Sequence, residues 1–196
     1  IFGRLKNVLY GFVQNLFAEL KTSSFKPADF EIVIGDGGEI PALVLADGKV
    51  KVAGKVDRVD TYEKDGTVFF RIIDYKTGAK SFSLSEVYSG LGLQMLLYMF
   101  AVWQGGAALY GGALQPAGVL YSLVHYDTLN ADTRRISDEQ IEQKRAKDCG
   151  SCGLLLDDDS VLAAMDKTLD FTRLPVRVSK GVIDRRSSIA TLEEFG

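Results

Sequence analysis

Histidine is almost missing from this chain: His125 is the only one in 196 residues. Cysteine is scarce as well, with Cys149 and Cys152 alone, spaced Cys-x-x-Cys. A four-ligand zinc site built on that pair needs two further ligands, which one histidine cannot supply. A thioredoxin-like pair belongs at a helix start inside a βαβ unit. Here the pair follows a polar helical stretch, within the Gly-rich Lys147-Asp148-Cys149-Gly150-Ser151-Cys152-Gly153. We read both as ordinary thiols. Apolar runs long enough to span a bilayer are missing, and no basic-then-apolar signal opens the chain. The expected location is cytoplasmic. A large charge of one sign is missing too: 26 acidic residues face 23 basic ones, for a net charge of −3. Bulk charge therefore does not hold nucleic acid, and any DNA contact must come from a local groove or a partner subunit. Gly105-Gly106 and Gly111-Gly112 lack the following Lys-Ser/Thr of a phosphate-binding loop, which excludes a P-loop ATPase. Internal repeats and low-complexity tracts are absent.

The remaining composition, 46% hydrophobic and 25% charged, suits one globular domain with a real core. Residues 1–21 carry Leu5, Val8, Leu9, Phe12, Val13, Leu16, Phe17 and Leu20 at the 3–4 spacing of one buried helical stripe. Residues 22–29 read as a loop carrying Pro27. Strands are expected at residues 30–34, 41–45, 49–62 and 67–76, with turns at Gly35-Asp36-Gly37-Gly38, Asp47-Gly48 and Asp65-Gly66. Ser81 to Ser85 offers helix caps, and one long apolar helix is expected from there to about Gln104. Residues 117–126 form a continuous apolar run, as a central buried strand should. Ser137-x-x-Gln140 opens a polar helix to residue 147. A short helix at residues 157–167 follows, with three acids at its positive end. Residues 175–179 read as a last strand, and Thr191-x-x-Glu194 opens a final helix. The order αβββαβαα implies an α/β sandwich around a mixed sheet.

The chemistry concentrates in residues 51–98. Gly54-Lys55-Val56-Asp57-Arg58-Val59-Asp60 and Arg71-Ile72-Ile73-Asp74-Tyr75-Lys76-Thr77-Gly78 read as two strands of a hairpin. Side chains two apart in a strand share a face, so Asp74 and Lys76 project together, about 7 Å apart along the strand. Phe70 and Ile72 precede Asp74 on that face. Val50, Val52, Gly54 and Val56 alternate on one face of their strand and place Asp57 on the other. Two carboxylates and an ammonium converging on one spot suit a hard divalent cation and a phosphate. The plain alternative is two exposed strand acids paired with Lys55 and Arg71. Gln94 and Tyr98, four apart, share one helical face. Phe69, Phe70, Tyr98 and Trp103 are expected in the core rather than as base-stacking platforms, and His125 as a satisfied buried or edge histidine.

Asp57 followed by Asp74-Tyr75-Lys76 resembles the Asp…(Asp/Glu)-x-Lys signature of the PD-(D/E)XK nucleases. Gly92-Leu93-Gln94-Met95-Leu96-Leu97-Tyr98 resembles the Gln-x-x-x-Tyr motif of the RecB-type branch. In the same order, residues 54–60, 73–78, 87–98 and 116–121 resemble the nuclease domain of the B subunit in bacterial AddAB-type helicase–nucleases. That resemblance runs over about residues 4–195. It implies a restriction-endonuclease-like mixed β-sheet flanked by helices, and a Mg²⁺-dependent (or Mn²⁺-dependent) exodeoxyribonuclease that processes double-strand DNA ends for recombinational repair. It implies Asp57, Asp74 and the backbone carbonyl of Tyr75 as metal ligands and Lys76 as the catalytic cation. Gln94 and Tyr98 hold substrate or support the metal shell, and Arg58 neutralises a carboxylate or touches phosphate. The implied partners are DNA and an AddA-type helicase subunit. Family members carry an upstream metal-binding histidine, and often a 4Fe-4S cluster on one distant and three near-terminal cysteines. Neither the histidine nor those cysteines is in this chain, so it is read as a single domain, residues 1–196, cut from a longer protein and weak or inactive alone. A non-catalytic DNA-holding scaffold with the same fold is the alternative.

Overall fold

In the computed structural model the described residues are 2–78, 81–124, 150–179, 182–184 and 188–195. Helix α1 (Phe2–Thr22) leads into β1 (Lys26–Ile34). A small hairpin, β2 (Leu43–Leu45) and β3 (Val50–Val52), precedes the long strands β4 (Gly54–Lys64) and β5 (Thr67–Lys76). Three helices follow: α2 (Leu84–Tyr88), α3 (Gln94–Gly105) and α4 (Ala107–Tyr110). Next come β6 (Ala113–Leu123), β7 (Cys152–Leu156) and α5 (Asp159–Met165). The strands β8 (Arg177–Ser179), β9 (Val182–Asp184) and β10 (Ile189–Ala190) and the helix α6 (Leu192–Phe195) complete the order. No helix among the described residues is long and apolar enough to cross a membrane.

Six strands make one mixed sheet in the order β1-β4-β5-β6-β7-β10. The expected α/β fold, a mixed sheet flanked by helices, is what the chain adopts. β4 and β5 are antiparallel, β5 and β6 parallel, β6 and β7 antiparallel, and β10 is parallel to β7. The centre is buried on both faces: residues 68–73 of β5 and 116–121 of β6 are all covered. That burial matches the apolar run of β6 and, but for Arg71, that of β5. α3 packs on β5 and β6, and α5 packs on β7.

Several expected elements change. The first strand begins earlier, at Lys26, and tolerates Pro27 because β1 is an edge strand whose pairing is irregular between Pro27 and Asp29. The long strand expected at residues 49–62 divides at Ala53 into β3 and β4. The single long helix is two helices, because Gly90 and Gly92 adopt φ +80° and +69° between α2 and α3. Left-handed backbone of that kind ends a helix and suits glycine. The segment expected to be a Gly-rich loop around Cys152 is instead β7, an interior strand. β9 and β10 were not expected at all. The helix at residues 137–147 lies outside the described residues, as do His125 and Cys149.

α1 forms where expected, but its apolar stripe is not buried as one. Phe12, Leu16 and Leu20 turn towards the protein, whereas Phe2 is 81% exposed, Phe17 70% and Leu5, Leu9 and Val13 more than half. The end of α1 is sewn to the region around α5. Ser24 N–H donates to the Ala164 carbonyl at 2.7 Å and Lys167 N–H to the Thr22 carbonyl at 3.0 Å. Arg173 Nε adds a bond to Asn15 Oδ1 at 2.8 Å.

Candidate active site

The ladder between β4 and β5 runs from Lys64↔Thr67 to Arg58↔Ile73 and stops there. One residue further on stand Asp57 and Asp74. Where the ladder stops, the Asp57 carboxylate takes over: its Oδ2 accepts the backbone N–H of Tyr75 at 2.8 Å. In a strand, the N–H and C=O of one residue point to the same edge. The Tyr75 carbonyl therefore faces the same opening between the strands. Strand alternation puts Asp74 and Lys76 on one face of β5 and Tyr75 on the other. The structure thus brings Asp57, Asp74, Lys76 and the Tyr75 backbone to one place.

Lys76 Nζ lies 2.5 Å from Asp74 Oδ2, close in distance but off the axis of a good hydrogen bond. The same ammonium stands 5.9 Å from the centre of the Tyr121 ring on β6. Burial, and after it the Asp74 charge, raises the Tyr121 phenol above its ordinary value. Half-exposed Lys76 and the less exposed Asp74 give a mouth open to solvent with a drier floor. The plain pairing with Lys55 and Arg71 is not what forms. Lys55 pairs with Glu31 at 3.1 Å, and Arg71 with Asp60 and Glu19.

Gln94 opens α3 and Tyr98 follows one turn later; Gln94 Nε2 donates to Tyr98 Oη at 3.1 Å. Tyr98 is buried and reaches the start of β4. A Cβ at Gly54 would stand only 2.0 Å from the Tyr98 hydroxyl. Glycine at position 54 is what lets α3 press against the strand three residues before Asp57. Phe69, Phe70 and Tyr98 are core, and half-buried Trp103 donates its indole N–H to the Leu114 carbonyl at 2.9 Å.

Arg58 sits on the opposite face and is only 2% exposed. Its guanidinium forks onto Asp60, with Nε 2.8 Å from Oδ1 and Nη2 3.0 Å from Oδ2. Nη2 also approaches Glu19 Oε1 of α1 at 3.5 Å, and Nη1 donates to Tyr75 Oη at 2.7 Å. Of the two expectations for Arg58, the structure provides the carboxylate partner, and the buried guanidinium presents no surface to a phosphate. Arg71 completes the cluster. It donates to Asp60 Oδ2 through Nε at 3.0 Å and Nη2 at 2.8 Å, and to Glu19 Oε1 at 2.7 Å. Its Nη1 has no hydrogen-bond acceptor, and its guanidinium carbon lies 5.2 Å over the Phe25 ring. Burial works against the Arg58 cation, yet Asp60 and then Glu19 outweigh it and raise its pKa. Sequence reasoning missed this four-charge cluster. Its signal was there: charged Asp60 and Arg71 interrupt otherwise apolar strands, and charges are almost never fully buried unless paired.

Two carboxylates and a strand carbonyl form an all-oxygen donor set. Among the described residues no group of three or more His, Cys, Asp or Glu side chains is gathered for a metal. Such a sparse, hard set fits Mg²⁺ or Mn²⁺, which take one or two carboxylates and leave room for water and phosphate oxygens. It does not fit a structural zinc. Cys152 begins β7 opposite Tyr121 and is half-buried.

Comparison with known proteins agrees with the fold. Residues 2–149 match the profile of the PD-(D/E)XK nuclease superfamily. The chain is 34% identical over 197 residues to a protein of Ruminiclostridium cellulolyticum named as the B subunit of an ATP-dependent helicase/deoxyribonuclease. That alignment covers 98% of this chain and 17% of the relative. Proteins of the same name from Clostridium botulinum strain Hall and Listeria monocytogenes serotype 4a are 38% and 36% identical, over 97% and 90% of the chain. They are covered over 17% and 16% of their own length, so the chain spans about one-sixth of the curated relatives it matches.

Proposed function

The chain belongs to the PD-(D/E)XK nuclease superfamily, and from that premise we propose that it hydrolyses DNA phosphodiester bonds as the nuclease domain of a helicase–nuclease subunit. The observation that supports this reading best is the parting of β4 and β5, with Asp57, Asp74 and the Tyr75 carbonyl at the opening and Lys76 beside them. Asp57, Asp74 and the Tyr75 carbonyl would hold one Mg²⁺ or Mn²⁺. Bound there, the ion would supply Lewis-acid chemistry, drawing charge from the scissile phosphate and making water a better nucleophile at neutral pH. Lys76 does the rest from the protein side: its ammonium orients the water and stabilises the charge that builds on the phosphate. The ion pair with Asp74 keeps that ammonium at the mouth. Exposed Gln94, braced by Tyr98, is placed to touch substrate. A scaffold that only holds DNA has no need of two aligned carboxylates and a lysine together.

The relatives' names speak of an ATP-dependent helicase and a deoxyribonuclease. The substrate then is DNA from a double-strand end, delivered by an AddA-type helicase subunit, and the net charge of −3 makes that delivery necessary. Two measurements test the reading. Calorimetry should show weak Mn²⁺ binding to the chain, lost in Asp74→Asn. In a complete subunit carrying this domain, Lys76→Ala should slow DNA hydrolysis by about 10²-fold, the scale of one lost preorganised donor. Equal Mn²⁺ affinity in Asp74→Asn, or near-normal cutting by Lys76→Ala, sinks it.

A further inference from the structure

Tyr75 is held at two points. Its backbone N–H is bound by Asp57 at 2.8 Å, and its phenol oxygen accepts from Arg58 at 2.7 Å. Phe12 of α1 meets the ring edge-on, with centroids 5.4 Å apart, and the Arg58 guanidinium carbon lies 5.7 Å from the ring centre. Arg58 itself cannot drift, because Asp60 and Glu19 clamp it in a buried site. Residue 75 lies two beyond the last ladder pair, Arg58↔Ile73. Ordinary sheet bonding with β4 therefore does not reach it, and the parallel ladder with β6, Tyr75↔Ser122, holds its backbone from the other edge only. On the β4 side something else must, since residue 75 presents both its N–H to Asp57 and its carbonyl to the opening.

We propose that the Tyr75 hydroxyl is a positioning group for the carboxylate pair: Arg58 fixes the phenol, the phenol fixes the peptide of residue 75, and that peptide fixes Asp57. This rests on the metal-dependent nuclease reading. The phenol lies on the face of β5 away from Asp74 and Lys76, so it acts through Asp57 and touches neither substrate nor metal. The charge cluster under the sheet thereby becomes the far support of the site, reaching from Glu19 on α1 to the opening between β4 and β5. Groups that orient a metal ligand from behind are typically worth about 10- to 100-fold in metal affinity.

The test is Mn²⁺ calorimetry on the whole 196-residue chain, together with amide exchange at residue 75. Tyr75→Phe keeps the ring and its Phe12 contact and removes only the hydroxyl. Mn²⁺ affinity should fall by about tenfold or more, and the residue-75 amide should exchange faster. Phe12→Leu should lower the melting temperature and leave Mn²⁺ affinity unchanged, which separates positioning from plain packing. Where Tyr75→Phe does not fold, Glu19→Gln reads the same support from its far end, with a several-fold loss expected. Wild-type Mn²⁺ affinity in Tyr75→Phe, or in Glu19→Gln as its substitute, overturns the proposal if Asp74→Asn has lost binding. Equal affinity in wild type and Asp74→Asn overturns the nuclease reading and this proposal with it.

Discussion

Asp60 is the residue on which two buried arginines depend, and its loss would leave Arg58 and Arg71 sharing Glu19 alone. Removing one partner from a buried ionic group costs about 3–5 kcal/mol, because the remaining charges stay dry and uncompensated. Asp60→Ala should lower the urea-unfolding free energy by that amount, far more than Lys55→Ala, whose exposed pair with Glu31 contributes little. A second residue carries a pH signature. Asp158 caps α5, its Oδ1 accepting from Ser160 N–H at 2.8 Å and Val161 N–H at 3.0 Å. The hydrogen bond from the Ser160 hydroxyl is the main cause that holds its carboxyl below the ordinary 3.8. A depressed carboxyl stabilises the fold above its ordinary value, and that contribution fades as pH falls through the lower folded value. Asp158→Ala should therefore cost about 1 kcal/mol at pH 7. The difference from wild type should shrink in acid well below 3.8; a gap that keeps its full pH 7 size there refutes the part of the cap that depends on charge. Strand alternation made Asp57, Asp74 and Lys76 legible in advance, because a period of two decides the face by counting. It put Asp60, Arg71 and Arg58 on the other face equally well. No count could show that a glutamate 39 residues before Arg58 would meet them, since that pairing depends on where α1 lies.

α1 shows how a helix can be read correctly while its burial is misread. The 3–4 spacing of its apolar residues located the helix, but that spacing does not say how wide the covered strip is. Phe12, Leu16 and the polar pair Asn15 and Glu19 take the contacts, while Leu9 stays 51% exposed. Leu9→Glu, with similar helix propensity, should change stability by no more than about 0.5 kcal/mol in thermal unfolding. A loss of several kcal/mol would mean that the face is covered after all. The hairpin of β4 and β5 was legible because its pairing is local and its turn, Asp65-Gly66, is explicit. β7 was not: Cys152-Gly153-Leu154-Leu155-Leu156 is short, begins among glycines, and becomes a strand only against β6 on one side and β10 on the other. β10, two residues long, has no period to detect. Likewise the break between α2 and α3 rests on the left-handed backbone of Gly90 and Gly92, and the apolar periodicity on either side reads straight through it.

Across the whole molecule, the late elements finish what the early ones begin. β6 is buried on its β7 side only if residues 152–156 are present, and α5 closes over that strand. A chain ended after residue 150 should therefore fail to unfold cooperatively in urea and should be cut readily by proteases; a sharp native-like transition would show that β7 and α5 are dispensable. The bonds from Ser24 to Ala164 and from Lys167 back to Thr22 add a further consequence, one about time. On the ribosome α1 is made before the strands and helices it meets, and the carbonyl that receives Ser24 is made 140 residues after it. At the usual 5–20 residues per second, the nascent chain spends roughly 7–28 s with that end of α1 unsewn. Glu19 waits less, because Arg58 and Arg71 follow within roughly 2–10 s at the same pace. The order of synthesis thus builds the support beneath the site early and closes the seam around it late.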